Sequence, residues 1–183
     1  RIRLENQLSQ ETTVHWHGLP VPPSQDGNPM DPVAPGASRL YEFTLPVGSA
    51  GTYWYHPHPH EYTAEQVFRG MAGLLIVRSR TDPVPAAIEE KLLVISDLRL
   101  AADGAIPANT AMDWQNGREG NYLLVNGQYQ PVLTINPGQS QRWHRRRTAR
   151  CADAGTERDP ARTRAARRSD RDGRVDRRRR GFA

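Results

Sequence analysis

Apolar and polar positions alternate along most of the first 140 residues, which is the period of β-strands rather than of helices. Ile2 and Leu4 alternate with Arg1, Arg3 and Glu5, so the chain opens inside a strand and further residues are expected upstream. Thr12–His17 predicts a second strand, with Val14 and Trp16 on one face and Thr13, His15 and His17 on the other. Pro20–Pro35, which contains the pair Asp26-Gly27, reads as a long loop stiffened by proline. Arg39–Leu45 alternates again and puts Tyr41, Phe43 and Leu45 on one face. Gly51–Tyr55 is an aromatic strand that runs into His56-Pro57-His58-Pro59-His60. Thr63–Phe68 has room for one helical turn or two, and the continuously apolar Met71–Val77 predicts a strand buried on both faces.

Two prolines mark Thr81–Ala87 as a linker, after which a second set of strands begins with Lys91–Leu98. Asn126-Gly127 predicts a hairpin turn between Tyr122–Val125 and Val132–Ile135, and Asp103-Gly104 and Pro137-Gly138 mark further turns. Gln139–Trp143 looks like the start of another strand that does not develop. Many short strands separated by Gly- and Pro-containing turns predict an all-β sandwich or barrel.

Charge divides the chain differently. Its 183 residues carry a formal net charge of +5. Residues 1–141 hold 9 Lys+Arg against 14 Asp+Glu, whereas residues 142–183 hold 16 Arg against 6 Asp+Glu. An acidic body therefore carries a very basic tail. The tail has no Leu, Ile, Met or Tyr, and such a segment cannot bury enough surface to offset its ordering entropy, so disorder is expected over 144–183. A nucleic-acid-binding arm is one reading of the arginines. The mixed acids, the missing base-stacking aromatics and the abrupt change at Trp143 favour an out-of-frame segment, with no specific nucleic-acid partner. The longest apolar run, Met71–Val77, is too short to span a bilayer, so no membrane partner is expected, and no secretory signal is predicted in this chain. The one cysteine, Cys151, excludes a disulfide framework and Cys-rich metal sites.

Four of the six histidines form two His-X-His pairs, His15-Trp16-His17 and His56-Pro57-His58. In a strand, residues i and i+2 share a face with Cα atoms ~6.5 Å apart, a spacing that suits two imidazoles reaching two neighbouring metals. If the strands that hold the pairs lie side by side, four imidazoles converge on one patch. Pro57 removes a ladder hydrogen bond and so puts the second pair at a strand end or edge, open to a metal. Neutral imidazole suits zinc, copper, iron or nickel. His60 reads as a solvated or supporting histidine, and His144 receives no role.

The segments Thr13-Val14-His15-Trp16-His17-Gly18-Leu19, Gln25-Asp26-Gly27, Gly51-Thr52-Tyr53-Trp54-Tyr55-His56-Pro57-His58 and Gly70–Val77 together resemble the first cupredoxin domain of the multicopper oxidases, the laccase-like enzymes. Asp113-Trp114 through Gly117-Arg118-Glu119-Gly120, with Leu124-Val125-Asn126-Gly127, resembles the second domain of the family's bacterial members. The resemblance implies a cupredoxin-like Greek-key β-sandwich over 1–80 that lacks its first strands, and a linker over 81–90. It implies a partial second cupredoxin domain over 91–143, followed by the basic tail over 144–183.

The resemblance also implies copper as cofactor and one-electron oxidation of phenols, aromatic amines or metal ions, coupled to four-electron reduction of dioxygen to water. By motif, His15 corresponds to a type 2 copper ligand, His17 and His56 to ligands of one type 3 copper, and His58 to a ligand of the other. Asp26 corresponds to an acidic residue that relays protons, although Asp-Gly is also a common turn pair. No His-Cys-His run accompanies Cys151, so a type 1 site is absent from this chain, and half of the cluster histidines have to come from missing oxidase domains or another subunit. The expected compartment is periplasmic or extracellular. The alternative is a copper-binding or copper-sequestering module without turnover.

Overall fold

The computed structural model describes residues 1–148, and the expectation of a disordered tail falls on residues 149–183, outside that range. Nine strands and two short helices follow in the order β1 (Ile2–Glu5), β2 (His15–His17), β3 (Ser38–Tyr41), β4 (Gly51–His56), α1 (Thr63–Phe68), β5 (Gly73–Val77), β6 (Glu89–Leu98), α2 (Ala111–Asn116), β7 (Tyr122–Val125), β8 (Gln128–Tyr129) and β9 (Gln141–Arg147). The chain is all-β, as its alternation predicts. The strands form a β1–β3 pair, a β2–β4–β5 sheet and a β8–β7–β6–β9 sheet.

The first half is built around Trp16, Leu19 and Tyr41, with Leu4, Val14, Val21, Phe43, Leu45, Tyr53, Leu75 and Val77 packed against them. Tyr41 is fully buried, and its phenol oxygen accepts the Val14 backbone N–H at 3.0 Å. That bond takes Val14 out of any strand ladder. Regular pairing on the second strand is therefore confined to His15–His17, shorter than the expected Thr12–His17, while Thr12 makes an isolated bridge to Val33. The sequence alternation still holds, because Val14 and Trp16 face the core from the opposite side to His15 and His17. β5 differs from expectation too. It is an edge strand with β4 as its one neighbour, and its residues are half-buried rather than buried on both faces.

In the second half, Asn126 (φ 52°) and Gly127 (φ 75°) both take the left-handed conformation of a two-residue type I′ turn. Such a turn pairs the residues on either side of it, so Val125 faces Gln128 and the returning strand is Gln128–Tyr129 rather than Val132–Ile135. Pro131, which lacks an N–H, follows at once. The helix α2 was not anticipated, although its signature is present: the Thr110 side chain accepts the Asp113 N–H and the Asp113 side chain accepts the Thr110 N–H, a capping box.

β9 runs through Arg147, four residues beyond the expected end of structure at Trp143, and pairs in parallel with β6. It also corrects the assignment of no role to His144. This residue is buried, and its Nδ1 lies 2.8 Å from the Thr52 hydroxyl on β4, tying the two halves together. Arg78 adds a bidentate pair to Glu90 at 2.9 and 2.6 Å, and Arg142 pairs with Asp82.

Candidate metal centre

The two histidine pairs lie on adjacent antiparallel strands in a register that sets His15 opposite His56 and His17 opposite Trp54. Because His17 shares a strand face with His15, three imidazoles fall together. Ligand nitrogens of His15, His17 and His56 all lie within 4.8 Å of one another. His17 Nδ1 approaches His56 Nε2 to 3.3 Å. The His58 ring follows just past the end of β4, with its centroid 5.5 Å from that of His15 and 5.9 Å from that of His56. The structure thus brings the four expected histidines to one side of the β2–β4 ladder, three of them in one donor group and His58 beside it.

Two of the rings, His56 and His15, are held through Nδ1, which leaves Nε2 for a metal. His56 Nδ1 lies 2.8 Å from the Pro57 carbonyl, so the ring donates there and presents Nε2 to the cluster. Burial, reinforced by the neighbouring imidazoles, pushes the His56 pKa down to about 4 and keeps the ring neutral, the form that ligates metals. His15 Nδ1 lies 3.1 Å from both the backbone carbonyl and a carboxylate oxygen of Asp26. Asp26 also accepts the Trp16 backbone N–H at 3.3 Å. A Cβ at Gly27 (φ 60°) would sit 2.1 Å from the Val14 carbonyl oxygen, so glycine is required for this loop to press against β2 and bring Asp26 to His15. The Asp-Gly pair is therefore a turn that also delivers a carboxylate to the cluster.

Sequence reasoning missed two supporting residues. The Trp54 indole stacks on His56 at a centroid distance of 4.2 Å and 29° between planes, and lies 4.8 Å from the His17 ring. The signal was its position two residues before His56 on the same strand face, but the link to His17 needs the register between strands. Thr13 is the other. Its buried hydroxyl accepts the His58 backbone N–H at 2.8 Å. The neighbouring Thr12 hydroxyl donates to Gln66 on α1 at 2.7 Å, so α1 is fastened beneath the same segment. His60, expected to be solvated or supporting, stands outside the cluster with its Nε2 3.3 Å from the sulfur of Met30.

Imidazoles grouped at these distances, at least one of them held neutral, fit a transition-metal site, and an all-nitrogen donor set of this kind suits copper. Residues 1–82 match the multicopper oxidase family. The multicopper oxidase mco of Staphylococcus aureus is 33% identical over 149 residues, which cover 76% of this chain and 31% of that protein. The copper resistance protein A of Escherichia coli is 33% identical over 104 residues, covering 52% of this chain and 15% of that protein. The solved structure of a multicopper oxidase from Campylobacter jejuni, described as a metallo-oxidase, aligns with a TM-score of 0.68 and 52% identity over 71% of this chain and 27% of that one. The fold and the histidine cluster therefore define a cupredoxin-like protein with an imidazole cluster suited to copper. The chain belongs to the multicopper oxidase family. It spans less than a third of the length of each of these relatives.

Proposed function

We propose that this chain supplies one side of a trinuclear copper cluster in an oxidase that couples four one-electron oxidations of phenols, aromatic amines or metal ions to the conversion of O2, four electrons and four protons into two waters. The observation that carries the reading is the convergence of His15, His17 and His56 donor nitrogens within 4.8 Å, with His58 adjoining. In this reading His15 holds the type 2 copper, His17 and His56 share one type 3 copper, and His58 holds the other. The 3.3 Å approach of His17 to His56 supports that sharing. Copper supplies electrons to dioxygen from several metals at once. The protein's own residues orient the site. Asp26 fixes the His15 ring through Nδ1 and sets a carboxylate next to the cluster, and Trp54 keeps the His17 and His56 rings in place. The remaining imidazoles come from further oxidase domains or another subunit, and the compartment is periplasmic or extracellular. No helix among the described residues is long and apolar enough to cross a membrane.

Copper sequestration without turnover is the second reading, favoured by a three-imidazole group that needs no additional chain to bind one ion. Titration of the purified chain with Cu(II) separates the two. Electron spin-echo spectroscopy is expected to detect imidazole nitrogens on the bound copper and to lose part of that coupling in His15→Ala. Half of an oxidase cluster releases its copper readily to a chelator, whereas a single copper retained against excess chelator supports sequestration. Copper bound with no imidazole coupling overturns both.

A further inference from the structure

Outside the histidine cluster, two metal-ligating side chains of different chemistry meet at the surface. The Met30 thioether sulfur lies 3.3 Å from His60 Nε2, although the residues are 30 positions apart in the chain. Met30 is 78% exposed, so its thioether is not there to fill a core. Both sides of the contact are anchored. The Met30 backbone N–H donates to the Asn28 side chain at 2.8 Å, and Arg39 braces the next residue through the Asp31 carbonyl at 2.8 Å and its carboxylate at 2.6 Å. On the other side Pro59 is fully buried, its carbonyl accepts the Thr63 hydroxyl at 2.7 Å, and the His60 carbonyl accepts the Tyr62 N–H at 2.7 Å.

We propose that Met30 and His60 form a separate binding site for a soft monovalent cation, with cuprous copper as its ligand. A thioether selects Cu(I) over hard divalent ions, and imidazole is compatible with it. Two donors suffice, since Cu(I) accepts linear two-coordinate ligation. With metal–nitrogen and metal–sulfur bonds on the order of 2.0 and 2.3 Å, as for another d10 first-row ion, a linear arrangement needs the pair to open by about 1 Å. Rotation of the exposed Met30 side chain provides that without disturbing either loop anchor. His60 is two residues beyond His58 in sequence, but the site takes a different oxidation state and a different donor set from the histidine cluster. The proposal stands whether or not the cluster belongs to an oxidase.

The chain has three methionines, and the two others, Met71 and the 63%-exposed Met112, serve as internal references. With methyl-labelled methionine, one equivalent of Ag(I), a redox-inert stand-in for Cu(I), is expected to shift the Met30 methyl resonance and the His60 ring resonances together while Met112 stays in place. Anaerobic titration with Cu(I) against a chromophoric chelator is expected to show one binding equivalent that Met30→Leu lowers at least tenfold in affinity. A His15→Ala, His58→Ala double variant should keep the Met30 response. A Met30 methyl unmoved at one equivalent, a parallel shift of Met112, or loss of the response in the double variant would each overturn the proposal.

Discussion

The buried hydroxyl of Thr13 accepts the backbone N–H of His58 across 2.8 Å, and so ties the segment entering β2 to the residue at which the second histidine pair ends. Both His-X-His pairs are thereby referred to one rigid point. Thr13→Val keeps the shape but leaves that N–H without its acceptor, at a cost of about 1–3 kcal/mol. Urea unfolding of the metal-free protein should show the loss, and Cu(II) affinity should fall with it as His58 drifts. Thr13→Ser should restore both. Wild-type affinity in Thr13→Val would mean that His58 is positioned by something else.

Asp113 governs a different part of the molecule. The Arg99 guanidinium and the Thr110 backbone N–H hold its carboxyl well below the usual carboxylate range. Its folded pKa is thus below the unfolded value of ~3.9, so the unfolded chain takes up the proton first as pH falls. The stabilisation is complete above the unfolded value and is lost as pH falls through it towards the folded one. Asp113→Asn should be less stable than wild type at pH 7, and the difference should shrink steadily on acidification. Unfolding midpoints measured from neutral to strongly acid pH check this, and a difference independent of pH would contradict it.

The histidine patch was legible because the i, i+2 rule fixes which side chains share a strand face, and Pro57 marks where the ladder has to end. The core positions of Val14, Trp16, Tyr41, Phe43 and Leu45 follow from the same period, even though pairing on β3 stops at Tyr41. What was not legible depends on how separate segments meet. Thr13 and Trp54 act on histidines 45 and 37 residues away, through a register that no local pattern states. The hairpin partner of β7 was open to local reasoning, since a two-residue turn dictates it, but the more apolar Val132–Ile135 outweighed that rule.

β9 carries its polarity the wrong way round. Arg142 and His144 point inward, where Arg142 meets Asp82 and Glu90 and His144 meets Thr52, while Trp143 is 49% exposed. A strand laid beside a central neighbour normally buries apolar residues. His144 Nε2 is buried without a hydrogen bond, and the nearest carboxylate oxygen, from Glu90, is 3.6 Å away. We expect the coding sequence to carry a single-base insertion or deletion near these codons. One of the other two reading frames should then continue the apolar alternation and later encode a further His-X-His-Gly and a His-Cys-His run. If neither frame does, the arginine-rich segment belongs to the protein.

Loaded with copper, the chain as it stands should bind the metal weakly and sustain no turnover. The argument rests on coordination. Three imidazoles approach one another within 4.8 Å and a fourth stands beside them, whereas the cluster implied by the family resemblance draws on eight. With this chain's histidines alone, each copper would keep one or two protein ligands and water would fill the other positions. In the proposed reading electrons have no entry either, because Cys151 has no histidine on either side with which to make a type 1 site. Asp26 remains beside His15, but a proton relay is idle when no electrons arrive. The copper-loaded chain should therefore lack the intense blue absorption of a copper–thiolate centre and consume no oxygen with a phenolic reductant. Sustained oxygen uptake that disappears in a His15→Ala, His58→Ala double variant would show that a second subunit or other ligands of this chain complete the cluster.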